Sequence, residues 1–346
     1  MDGKVDRRDF LKVSMATGAM LLAGDALLNN VFAQSKPTYS EVDGLNITVI
    51  TDNYFDGVRP HGLIGKRFRP TVERSLHAEH GLSYYVETLS GGKTSAFMFD
   101  YGVDAKPVMR NMELLGVKLE KLDGMGLSHG HWDHWGALEG ILKAQGGKLR
   151  RGVPFYVGEE AFSERAGVRA GSTTPTNLGS LKREAVESSG VLKIVEVNTS
   201  TEVMKGGYFT GQIERVTAYE KVPPTLLVKR NGKWQPDQFQ GEQALFFNVK
   251  GKGLVILIGC AHPGAVNTIK HVQKITGVRK VHTVIGGFHL VGAKPELVQK
   301  AVTDIKEIAP DYIVPCHCTG YEAITMFQQQ MPKQFVLNTV GTRYVF

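Results

Sequence analysis

Apolar residues recur along this chain in two rhythms, short runs of strand length and segments that repeat every three to four residues. Leu45–Thr51 alternates into a strand. Leu82–Thr88 and Ala96–Asp100 flank the Gly91-Gly92 pair and predict two paired strands. Pro107–Leu115 predicts a helix, with Pro107 at its start and Gly116 just past its end. Gly124–Leu127 and Phe155–Val157 predict strands. Between them Ala137–Ala144 predicts a helix with Leu138, Ile141 and Leu142 on one face. From Gln243 the pattern sharpens into four apolar runs, Ala244–Val249, Leu254–Ile258, His282–Ile285 and Tyr312–Val314. Helical patterns follow the last three, over Ala265–Ile275, Pro295–Ile308 and Tyr321–Gln329.

Two stretches break the rhythm. Residues 53–80 hold many Gly, Arg, Pro and His and form no clear element. Residues 160–235 are irregular, with short strands expected at Leu192–Val197 and Ile213–Ala218, and read as an insertion covering a site. There is no tight internal repeat and no low-complexity tract. Strands alternating with helices imply a layered α/β fold whose strands end at a common edge.

Length and composition change this picture little. The 346 residues allow one large domain or two ordinary ones. The 42% hydrophobic and 22% charged content is ordinary for a globular protein. A net charge of +7 favours small anionic substrates but is too diffuse to imply nucleic acid, and Lys66-Arg67-Phe68-Arg69 reads as a solvated basic loop. Three cysteines, Cys260, Cys316 and Cys318, argue against a disulfide framework. There is no glycine-rich dinucleotide fingerprint.

The N-terminus reads as an address. Asp6-Arg7-Arg8-Asp9-Phe10-Leu11-Lys12 resembles the twin-arginine export motif. A moderately apolar run, Val13–Ala23, follows, and Val31-Phe32-Ala33 is a small-residue pattern that places cleavage after Ala33. The run is too short, and too interrupted by Asp25, Asn29 and Asn30, to span a bilayer. The expected organisation is a signal peptide over 1–33, a polar linker over 34–44 and one domain over 45–346. The mature chain is expected in the periplasm or outside the cell, delivered by the twin-arginine translocase, with no stable membrane span.

The chemistry concentrates in His129-Gly130-His131-Trp132-Asp133-His134, directly after a predicted strand end. Imidazole and carboxylate are ligands that a borderline divalent cation accepts. Cys260 and His262, His289, and His317 each follow a later strand. Side chains after four strand ends are placed to meet at one sheet edge.

At these residues the chain resembles the metallo-β-lactamase superfamily. Leu127–His134 looks like its metal loop, and Phe97-Met98-Phe99-Asp100-Tyr101-Gly102 like its strand ending in Asp-x-Gly. His80-Gly81-Leu82-Ser83, Ile258–Gly264, Gly286–Leu290 and Pro315–Gly320 resemble the dihydropterin–ribofuranosylaminobenzene-phosphate synthase-like branch. The resemblance implies a four-layer αββα sandwich and two divalent metal ions, zinc before iron or manganese. It implies that His129 and His131 serve one metal, and Asp133, His134 and His317 the other. His262 completes the first site or takes a bridging place. Cys260 and Asp237 are further candidates for ligation, and His80 and Thr319 for substrate contact. Asp133 and His289 are the candidate catalytic residues, His289 as substrate contact or proton donor. The expected activity is an exported hydrolase in which metal-activated hydroxide attacks an ester, phosphoester or amide/lactam bond. The alternatives are an iron-dependent oxidoreductase on the same fold and a non-catalytic periplasmic binding protein.

Overall fold

The computed structural model describes residues 38–169 and 171–346. The twin-arginine motif and the cleavage position after Ala33 lie outside the described residues. Two large sheets face each other. One has eight strands in the order Leu192–Glu196, Val153–Val157, Leu122–Gly126, Lys93–Phe99, Ser83–Ser90, Gly44–Thr51, Arg343–Val345, Gly65–Lys66. The other runs Thr201–Met204, Gly207–Phe209, Leu245–Val249, Gly253–Ile258, Val281–Gly287, Tyr312–Cys316. Its seventh strand, Glu41–Val42, also pairs with Leu245–Val249.

Alternation along each strand sorts side chains between cores. Leu45, Ile47 and Val49 enter the space between the sheets, where they join Phe97, Leu245, Phe247, Val255 and Leu257. The opposite face of Gly253–Ile258 sends Leu254, Ile256 and Ile258 toward the helices Ala265–Thr276 and Pro295–Ile308. Met98, Met125 and Phe155 do the same on the first sheet, under Val108 and Met112 of Ala105–Leu115 and Ile141 of Leu138–Gln145. The result is helix, sheet, sheet, helix, the expected αββα order. Asp104 caps the N-terminus of Ala105–Leu115, and Gly116 ends it in the left-handed conformation at φ 73°.

Three expectations need correction. The 34–44 linker is not wholly polar spacer, because Glu41–Val42 is a strand and Val42 is buried in the inter-sheet core. Residues 160–235 are not a simple insertion. Leu192–Glu196 extends the first sheet and Thr201–Met204 and Gly207–Phe209 the second, while four strands within 165–236 build a small antiparallel sheet of their own. Ile213–Ala218 forms no strand, since the N–H groups of Val216 and Thr217 donate to the Asn267 side chain at 2.8 Å.

Candidate metal centre

The expected ligands meet at one sheet edge. Leu122–Gly126 leads into the loop at 127–131, followed by a single helical turn, Trp132–Trp135. Gly253–Ile258, Val281–Gly287 and Tyr312–Cys316 are parallel neighbours and deliver Cys260 with His262, His289, and His317. Asp100, Ala261, His289 and His317 lie at φ 59°, 57°, 45° and 51°, so several strand exits turn sharply through a region few side chains adopt.

One ligand atom from each of Asp133, His134, Cys260 and His317 lies within 4.8 Å of the others, as do those of His129, Cys260 and His262. His131 stands beside the second group, its ring centroid 4.8 Å from that of His129 and 4.9 Å from that of His262. His317 Nε2 is 3.2 Å from Asp133 Oδ2, and His134 Nε2 is 3.1 Å from Cys260 Sγ.

The outward ring nitrogens are held from behind. Asp100 Oδ2 lies 2.7 Å from His134 Nδ1, and Asp100 also accepts from the Ser128 amide and hydroxyl. The Ser128 hydroxyl lies 2.9 Å from His129 Nδ1. Glu242 Oε2 lies 2.7 Å from His262 Nδ1. Asp52, itself held by Asn338, accepts from the His317 amide. Carboxylate partners of this kind orient imidazoles toward a metal.

The inner nitrogens are left over. His129 Nε2, His262 Nε2 and both ring nitrogens of His317 are buried without a hydrogen-bond partner. Each such orphan costs about 1–3 kcal/mol unless something binds it. Orphaned imidazoles, a carboxylate and a thiol around shared points fit a borderline divalent cation. Burial, reinforced by neighbouring histidines, holds His129 and His262 well below the usual imidazole range. Burial holds His131 down to about 3. All three are thus neutral, the form that ligates. Burial opposes charge on His134 too, but Asp100 and Asp133 outweigh it and push it up to about 9, so a metal ion binding at His134 would have to displace its proton. Burial likewise works against the Asp133 carboxylate, but His134 and His317 hold it far below the ordinary carboxylate range.

Other sequence candidates fall elsewhere. Asp237 is in the wall, not in the ligand groups among the described residues. Its Oδ2 pairs with Arg165 Nε at 2.9 Å and its Oδ1 accepts from the Phe239 amide. That turn sets Phe239 at φ 48° with its ring stacked on His262, centroids 3.8 Å apart. Thr319 is fully buried and accepts from the Phe288 amide, so it ties two loops together. His80 is half exposed at the rim, stacked on His317 with its Nε2 3.6 Å from Asp133 Oδ2. His289 packs 4.2 Å from the His262 ring centroid. Trp135 braces the loop by donating to the Gly130 carbonyl. Gly130 itself is needed there, because a Cβ would sit 2.6 Å from the Ala161 carbonyl oxygen. Sequence reasoning missed Cys318, Glu242, Asp52, Arg165 and Phe239. Cys318 alone gave a signal, in its spacing from His317.

The sequence profile of the metallo-β-lactamase superfamily matches residues 78–211. A 7,8-dihydropterin-6-methyl-4-(β-D-ribofuranosyl)-aminobenzene-5′-phosphate synthase of Methanocaldococcus jannaschii is 32% identical over 261 residues, 75% of this chain and 87% of the relative. An uncharacterised protein of the same organism is 26% identical over 271 residues, 78% of this chain and 95% of that protein. Among solved structures, Tm1679, a metal-dependent hydrolase of the β-lactamase superfamily, superposes with a TM-score of 0.67 at 24% identity, covering 86% of this chain and 98% of its own.

Proposed function

The chain belongs to the metallo-β-lactamase superfamily, and from that premise we propose that it is a metal-dependent hydrolase of an ester, phosphoester or amide bond. The observation that carries this reading is the set of orphaned inner nitrogens on His129, His262 and His317, each ring held from its other side or by its backbone. His129, His131 and His262 would hold one divalent cation and Asp133, His134 and His317 a second, with Cys260 adjoining both. Zinc suits this donor set, with iron or manganese as substitutes. When bound, such ions supply Lewis acidity and bring the pKa of a water toward neutrality. The protein's own groups do the rest. Asp100 and Glu242 fix the imidazoles behind the site. Phe239 excludes water from one face of His262. His80, at the rim beside Asp133, is positioned to contact the substrate.

The test is elemental analysis of the purified mature chain with a screen against phosphodiester, lactone and lactam compounds. We expect at least two ions per chain, and we expect His131→Ala to lower turnover by about 100-fold or more with an unchanged circular dichroism spectrum. Wild-type turnover in that variant would end the reading.

A second reading is favoured by the 32% identical synthase. On it, this chain is a synthase of the dihydropterin–ribofuranosylaminobenzene-phosphate type. Formation of the relative's product, with no turnover of the hydrolytic panel, would select it. We further propose export by the twin-arginine translocase, on the Arg7-Arg8 motif.

A further inference from the structure

Three strand ends deliver a sulfur-rich cluster that the histidine and aspartate ligands leave unexplained. Cys260, His289 and Cys318 each present one ligand atom within 4.8 Å of the other two. Both cysteines are free and buried. The backbone makes room for Cys318, since a Cβ on Gly287 would sit 2.6 Å from its Sγ. His289 adopts φ 45°, uncommon for a non-glycine residue, and its Nδ1 is buried without a hydrogen-bond partner. Cys316 gives the contrast of a packing cysteine. It lies in the inter-sheet core, with its sulfur 3.7 Å from the Tyr84 hydroxyl. Two thiols and an imidazole suit a thiophilic cation and do not suit magnesium or calcium.

We propose that Cys260, His289 and Cys318 form a thiolate-rich position for a borderline or soft divalent cation, separate from the two histidine and aspartate sets and sharing Cys260 with them. The inference goes beyond the hydrolase reading and holds whichever bond the enzyme acts on. His289 is then a ligand, in place of the substrate contact or proton donor expected from the sequence. Binding displaces one proton from each thiol and involves no electron transfer.

Cobalt(II) added to the metal-stripped full-length protein is the probe, read by thiolate-to-cobalt charge-transfer absorption in the near ultraviolet. The band should fall to about half in Cys318→Ser, vanish in the Cys260→Ser/Cys318→Ser double variant and persist in His131→Ala, because only deprotonated sulfur ligands produce it. No band, or a band that Cys318→Ser leaves at full intensity, overturns the proposal. Loss of the band in His131→Ala overturns the separateness of the position while sparing the hydrolase reading. Should the cysteine variants misfold, the wild-type protein still decides. Cadmium should slow alkylation of Cys260 and Cys318 by iodoacetamide about tenfold, measured by peptide mass spectrometry, since a ligated thiolate is a poor nucleophile. Equal modification of Cys318 with and without cadmium overturns the proposal.

Discussion

Asp100 shows how one side chain organises several others. It sits at φ 59° at the end of Lys93–Phe99 and serves Ser128 and His134 together. Asn tolerates the left-handed region as well as Asp does, so Asp100→Asn keeps the backbone and removes the charge behind His134. We expect metal affinity to weaken about 10- to 100-fold, as for other partners of ligating histidines. Competition against a chromophoric chelator measures it, and unchanged affinity would mean that His134 is oriented by other contacts. The candidate ligands that cluster at the sheet edge were legible in the sequence because histidines and aspartate crowd into 129–134 and others follow strand ends. Their supports were not. Glu242 meets His262 from 20 positions away, and Asp52 meets His317 from 265 away. An isolated acidic residue carries no local mark of such a partner. The partner of Asp237 was illegible for the same reason, since the Arg165 that pairs with it is 72 positions away.

Strands of the inter-sheet core were legible because both faces are apolar and long enough to show it. Leu245, Phe247 and Val249 face the opposite sheet while Phe246 faces the helices. Phe247→Ala should therefore cost about 3–5 kcal/mol of stability, read from denaturant midpoints at constant slope. A loss below about 1 kcal/mol would show that the two sheets close over the cavity, an outcome that collapse of the surrounding side chains permits. The small sheet built from Arg165–Gly167, Thr176–Gly179, Leu226–Arg230 and Lys233–Pro236 escaped notice because its strands run three to five residues and several positions are exposed. Short half-wet strands leave no period to read. Ile213–Ala218 erred the other way, because its apolar residues suggested a ladder while Asn267 already satisfied the backbone.

At the scale of the molecule, Tyr39–Phe346 forms one compact unit. Among the described residues no helix is long and apolar enough to cross a membrane. Fractionation of a suitable bacterial host tests the export proposal. The wild-type chain should be recovered outside the cytoplasm and shortened at Ala33, whereas an Arg7→Lys/Arg8→Lys chain stays inside at full length. Equal distribution of the two chains would remove the export signal from the account. The centre itself joins remote parts of the polypeptide, for His134 and Cys260 touch across 126 positions. An ion seated there is a rivet through both halves of the chain. It binds the finished article and not the unfolded string, adding about 4 kcal/mol when present at a thousand times its dissociation constant. Occupancy therefore doubles as a certificate of completed folding, one that a truncated or misthreaded copy is unable to obtain.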